Sequence, residues 1–192
     1  TLAISSAASD VYKRQSAEDA VLAAVEMKKQ LAVYNSDEPT SGKEPVNMGV
    51  GIHIGQLVLG TIGRELRMET TVISDTVNAS ARLENLNKTY KTNVLISGAV
   101  RDELSPDIQS FCRLIDRTQV KGKVEFLDVY EVYLTDDEAL AEAKSKSKKV
   151  LTSIVDSYYL GDIKAAKKRL GELEDDTKKD TVISFWKNRL KT

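Results

Sequence analysis

The chain has 192 residues, 41% hydrophobic and 30% charged, with 28 Lys and Arg against 29 Asp and Glu for a net charge of −1. It therefore reads as a soluble globular domain plus an appendage, and the balanced charge argues against coating of nucleic acid, which needs a basic excess. No apolar run approaches the roughly 18–20 residues that span a bilayer, while the single Cys112 and single His53 exclude a disulfide framework and a structural zinc site and fit a reducing, cytoplasmic setting.

Thr1–Gln15 has no apolar period and lacks the basic start and apolar core of a signal peptide. The run Asp10-Val11-Tyr12-Lys13-Arg14-Gln15 resembles the translation of a transposase adaptor used in sequencing libraries, so the segment is set aside from the fold and the protein is expected to extend further upstream. Ser16–Tyr34 then reads as a helix capped by Ser16, with Ala20, Ala24, Met27, Leu31 and Tyr34 on one apolar face. A turn-rich loop follows to Pro45. Val46–Ile62 reads as a β-hairpin, from the alternation of Met48, Val50, Ile52 and Ile54 and then of Leu57 and Leu59. The glycines that punctuate it imply close approach of backbone or ligand. Met68–Ile73 is a strand, and Ser74–Lys88 a helix with Val77, Ala81 and Leu86 inward. Asn93–Ile96 is a short strand. Ser97–Leu104 is a short helix capped by Ser97 and stopped before Pro106. Phe111–Val120 and Val124–Tyr133 form an antiparallel pair around Lys121-Gly122-Lys123.

Composition shifts near Thr135. Asp136–Thr192 carries 13 basic and 11 acidic residues in 57, about 42% charged, against 33 charges in the preceding 135, about 24%. Three apolar stripes make this tail helical: Val150 to Tyr159, Ile163 to Leu173, and Val182 to Leu190. Its helix–turn–helix spacing around Gly161 is similar to one tetratricopeptide-like unit. A single unit cannot bury its own face, so it must pack on the domain or on a partner. The expected division is 1–15, 16–134 and 135–192.

The chemistry lies between Met48 and Glu84. The block holds Gly51-Ile52-His53-Ile54-Gly55, Gly60-Thr61-Ile62-Gly63, Thr70-Thr71-Val72-Ile73-Ser74-Asp75-Thr76-Val77-Asn78, and Arg82-Leu83-Glu84. Asn78 and Arg82 stand four apart on a helix and share a face. The amide can bond a sugar, and the guanidinium matches phosphate bidentately. Taken singly, each residue has a plainer reading. Arg82 would be a surface ion-pair residue, Asn78 a helix-surface amide, Thr71 a β-former and Lys121 part of a common turn. His53 suits a surface-facing strand position without a catalytic role. Asp75 suits a helix start, and Cys112 a small buried side chain. Gly60-x-x-Gly63 is not followed by Lys-Ser/Thr and is no P-loop.

Together and in this order, the motifs resemble the catalytic domain of class III adenylate and guanylate cyclases. Val120-Lys121-Gly122-Lys123 and Val129-Tyr130-Glu131-Val132 match that family's closing hairpin, and the resemblance covers about Ser16–Val132. It implies an α+β, ferredoxin-like fold of βαββαβ plan. It implies that Asn78 orients the ribose, that Arg82 stabilises charge at the phosphate, and that Lys121 adds a charge at the β- and γ-phosphates. Thr71 stands where the adenine edge is read, which leans toward ATP over GTP. The departures are mild: Ser74 replaces a glycine before Asp75, and Ala79-Ser80-Ala81 replaces a Leu-Ala-Ser type.

The family uses two Mg²⁺ or Mn²⁺ ions held by aspartates in a Phe-x-Asp strand and a Gly-Asp hairpin. Neither motif, nor the adenine-contacting lysine of that region, stands ahead of Met48 in this sequence, where the family's first half would lie. The resemblance therefore implies the C-terminal half of a catalytic domain whose site forms between two antiparallel domains. A homodimer or a partner cyclase domain would complete it. Alone, the chain is expected to be inactive, to leave a sheet edge uncovered and to fold poorly. The alternative reading is a non-catalytic, dimerising cyclase homologue that uses its helical tail for protein contacts.

Overall fold

The computed structural model describes residues 6–37, 44–56, 58–64, 67–73, 75–119, 126–173 and 179–191, with the side chains of 16–36, 44–56, 75–119, 126–173 and 179–191. In chain order the elements are α1 (Ser6–Asp37), β1 (Val50–Ile52), β2 (Val58–Arg64), β3 (Arg67–Ile73), α2 (Asp75–Tyr90), β4 (Val94–Ser97), α3 (Gly98–Asp102), α4 (Pro106–Ser110), β5 (Cys112–Gln119), β6 (Phe126–Val132), α5 (Glu138–Tyr159), α6 (Ile163–Gly171) and α7 (Thr181–Arg189).

Four strands form the central sheet in the order β1-β4-β6-β5. β1 runs parallel to β4, and the other neighbours are antiparallel. Each outer strand pairs on one side only among the described residues. The hairpin expected over Val46–Ile62 is not formed as read. Val50–Ile52 instead joins β4, and the hairpin lies one strand later, with β2 against β3 in register from Val58↔Ile73 to Arg64↔Arg67. Alternation marks strands but says nothing of their partner, and β1 needs a helical crossover, α2, to reach a parallel neighbour.

Helices cover both faces of the sheet, which explains why all four residues of β4 are buried. On one side Ala17, Val21, Ala24 and Val25 of α1 pack with Val100 of α3 against Val94, Ile96, Cys112 and Val132. On the other, Leu83 and Tyr90 of α2 share a core with Leu95, Ile115 and Val129 and with the tail residues Leu151, Ile154, Val155, Ala166, Val182 and Trp186. The tail thus packs on the domain, one of the two outcomes its stripes allowed, and its core is continuous with that of the sheet.

Two helix faces differ from expectation. α1 starts at Ser6, ten residues before the Ser16 cap, because nothing from Ser6 to Gln15 is Gly or Pro. Its buried line is Ala17, Val21, Ala24 and Val25, whereas Met27 (49%) and Tyr34 (50%) stay exposed. α2 buries Ala79, Leu83, Asn87 and Tyr90 rather than Val77 and Ala81. The Ser97 cap was read correctly, since Ser97 accepts the Val100 N–H at 3.3 Å at the start of α3; Pro106, read only as a stop, also opens α4. The α5–α6 turn closes as a Schellman motif. Gly161 (φ +81°) donates to Tyr158 O and Asp162 N to Ser157 O, and the Asp162 carboxylate then caps α6 at Ala165 N, 2.9 Å away.

Candidate functional site

α2 carries Asn78 and Arg82, and glycines on the β1 side set its position. A Cβ at Gly51 would lie 2.3 Å from Glu84 N and 2.5 Å from Ser80 O, so the helix backbone rests directly on the strand. The close approach that the glycines implied is that of the chain's own helix. Asn87, which is buried, ties the C-terminal half of α2 down. Its Nδ2 donates to Val50 O at 3.0 Å, and its Oδ1 accepts from Thr92 Oγ1 at 3.0 Å. At the other end Thr76 Oγ1 donates to Gln56 O at 2.8 Å. His53 does not face solvent freely: it is half-buried, with Nδ1 2.8 Å from Ser97 Oγ.

With that side of α2 fixed, Asn78 and Arg82 lie together on an exposed stretch of the helix, as their spacing predicts. Arg82 Nη1 donates to the carbonyl of Gln119, the last residue of β5. Gln119 forms the final rung of the β5–β6 ladder with Phe126. Thr71 lies opposite Gly60 in the β2–β3 hairpin by its backbone. Its side chain, and the whole of Lys121, lie outside the described residues.

Two polar networks near β5 were not anticipated. Buried Asp116 receives Tyr90 OH at 2.5 Å, Tyr159 OH at 2.9 Å and Arg189 Nη1 at 2.7 Å. Burial, reinforced by Asp116, pushes the Tyr159 hydroxyl up to about 12 and raises Tyr90 as well. The Arg189 guanidinium lies 4.3 Å from the Tyr158 ring centroid. The second network centres on Arg113, which is fully buried. It bonds Glu131 at 2.7 Å and grips Asp180 bidentately at 2.5 and 2.9 Å, while Lys144 bonds Glu131 at 2.7 Å and also Asp136. A charged residue between the apolar neighbours Cys112 and Leu114 was the available hint. Its partner in the tail, 67 positions away, has no local signature.

The model of the adenylate and guanylate cyclase catalytic domain matches residues 4–135, more than half of the chain. The chain belongs to this family. It is 39% identical over 118 residues to an adenylate cyclase of Anabaena cylindrica, covering 59% of this chain and 24% of that protein. It is also 39% identical over 116 residues to adenylate cyclase 1 of Rhizobium meliloti, covering 60% and 17%. The chain therefore spans about a quarter or less of these relatives. Among solved structures, the adenylyl cyclase CyaB from P. aeruginosa superposes with a TM-score of 0.51 at 26% identity, covering 62% of this chain and 59% of that one. A bacterial light-regulated adenylyl cyclase superposes with a TM-score of 0.55 at 18% identity, covering 69% and 38%, and supports the fold.

The cyclase family's chemistry implies two divalent ions. Among the described residues no three His, Cys, Asp or Glu side chains come together to hold one. Asp75 stands exposed at the start of α2. The described residues of this cyclase-family chain therefore offer no such ligand set. No helix among the described residues is long and apolar enough to cross a membrane.

Proposed function

We propose that this chain supplies the ribose- and phosphate-handling half of a nucleotide cyclase that converts ATP to 3′,5′-cyclic AMP and pyrophosphate. The observation that carries the reading is the shared exposed face of Asn78 and Arg82 on a helix held against β1, within a chain of the cyclase family. In the reaction the ribose 3′-oxygen attacks the α-phosphorus, the hydroxyl proton is lost, and pyrophosphate leaves. Asn78 orients the ribose, and Arg82 neutralises charge that grows on the phosphate oxygens. Its guanidinium keeps the Gln119 carbonyl through Nη1 and offers its remaining N–H donors to the phosphate. Lys121, two residues beyond Gln119 in the sequence, adds a further positive charge. Thr71 and the adenylate cyclase relatives support ATP over GTP. The chain acts with a second cyclase domain that brings the metal-binding carboxylates, as a homodimer of a longer protein or with a partner.

The test is complementation. The full chain is mixed with a family domain that keeps its metal carboxylates but lacks its own asparagine and arginine of this motif, with ATP or GTP and Mn²⁺. Cyclic AMP should form in the mixture and not with the chain alone, and Arg82→Ala should lower the rate about 100-fold or more. A mixture that stays inactive overturns the catalytic reading and favours the non-catalytic, dimerising homologue.

A further inference from the structure

The last turn of α5 lies outside residues 4–135, the span of the family match, yet it reaches the Gln119–Phe126 end of the β5–β6 ladder. Asp156 accepts from Arg117 Nη2 at 2.7 Å, while Arg117 Nε donates to Asp128 on β6 at 2.8 Å. One guanidinium thus joins α5, β5 and β6. Tyr159 hydroxyl shares its proton between Asp116 Oδ1, at 2.9 Å, and the Arg117 carbonyl. Its ring meets Phe126 edge-on, with centroids 5.1 Å apart. Phe126 pairs with Gln119, and the Gln119 carbonyl accepts from Arg82.

Gln119 and Phe126 are both exposed, and a terminal rung with exposed ends frays unless something outside the ladder holds it. Asp156 and Tyr159 supply that hold from both sides: the carboxylate through Arg117, the ring through Phe126. We infer that Asp156 and Tyr159, in the helical tail, are positioning residues for Arg82: they fix the last rung of β5–β6 and with it the point from which the guanidinium engages a triphosphate. The inference rests on the role given to Arg82 under Proposed function. It also gives the tail a task in the site.

The experiment uses the full chain and two readouts. Hydrogen exchange at the amides of Thr118, Gln119, Phe126 and Leu127 reports the rung, and ATP titration of the chain paired with the complementing cyclase domain and Mn²⁺ reports the site. Asp156→Asn should speed exchange at these amides about 5-fold, the scale of a partly exposed ion pair. It should weaken ATP binding about 3- to 5-fold, and Asp156→Glu should restore both. Tyr159→Leu, which removes the ring that meets Phe126, should act in the same direction. In an Arg82→Ala background Asp156→Asn should weaken ATP no further, because its effect passes through Arg82. Glu142→Gln, which removes the Lys146 pair on the same helix, should change neither readout. Unchanged exchange at the rung overturns the inference, as does an ATP loss that adds fully to that of Arg82→Ala. A wild-type chain that does not bind ATP even when paired with the complementing cyclase domain overturns the reading of the site and the positioning role with it. The exchange result then separates that failure from failure of the hold itself.

Discussion

Gly51 decides how closely α2 can lie on β1, and so where Asn78 and Arg82 stand. A methyl group there would meet Glu84 N at 2.3 Å, Ser80 O at 2.5 Å and Leu83 C at 2.9 Å. All three are helix backbone, which cannot swing aside as a side-chain tip can. Gly51→Ala should therefore cost about 3 kcal/mol, the upper range for overpacking, read as a lower urea midpoint. Gly171, at the end of α6, has nothing within 4 Å of its Cβ position and carries no positive φ. Gly171→Ala should be neutral or stabilise by about 0.5 kcal/mol. The need for closeness at Gly51 was legible in the sequence. What comes close was not, because a backbone and a ligand leave the same mark on the strand. Asn78 and Arg82 were legible as a pair because a four-residue helical step is a local rule. Thr71 and Lys121 were named by likeness alone.

At the scale of elements, nearly every strand and helix was legible, but the phase of two helices and the partner of one strand were not. α1 holds two apolar lines that share Ala24, and composition cannot rank Ala20-Ala24-Met27-Leu31-Tyr34 above Ala17-Val21-Ala24-Val25. The winning line pairs small residues with the sheet, so that the helix sits close over Val94 and Ile96. The losing line is largely solvated. Val21 is 0% exposed and Met27 49%. Val21→Ala should lower stability by about 2 kcal/mol, from the methyl groups removed and the space left, and Met27→Ala should change it by no more than about 0.5 kcal/mol. Urea denaturation of the two variants tests the phase directly. Equal effects would mean that α1 is rotated. In α2 the corresponding shift follows Asn87, a polar residue no hydrophobic pattern would place inside. It is buried because Val50 O and Thr92 Oγ1 supply its partners.

At the scale of the molecule, the composition break near Thr135 marks a change of surface, while the core runs across it. Long-range ion pairs join the two parts, and none of them is periodic in sequence. The bidentate Arg113–Asp180 pair is completely enclosed, and Asp180 also caps α7 at Val182 N, 3.0 Å away. Removing one partner of such a pair leaves a buried charge unmatched, so Asp180→Asn should cost about 3–5 kcal/mol near neutral pH. The acid dependence has a definite sign. Burial would raise the Asp180 carboxyl, but the bonds from Arg113 outweigh it and hold it below its ordinary value. A carboxyl lowered in the folded state adds stability above its unfolded value, about 3.9, and loses it as pH falls through the lower folded value. Asp136 has the opposite sign. Burial outweighs Lys144 and raises it, so its ionisation subtracts stability as pH rises from about 3.9 toward its folded value. The deficit of Asp180→Asn against wild type should therefore be full at about pH 7 and should shrink below about pH 4 as the wild-type carboxylate protonates. Asp136→Asn leaves Lys144 its bond to Glu131 and removes a reluctant anion, so it should cost about 1 kcal/mol or less. Urea midpoints of the three proteins across that pH range check both signs. A deficit for Asp180→Asn that stays constant down to about pH 2 would show that the carboxyl titrates alike in the folded and unfolded chain, so that its charge pairing with Arg113 adds nothing to the hold on the tail.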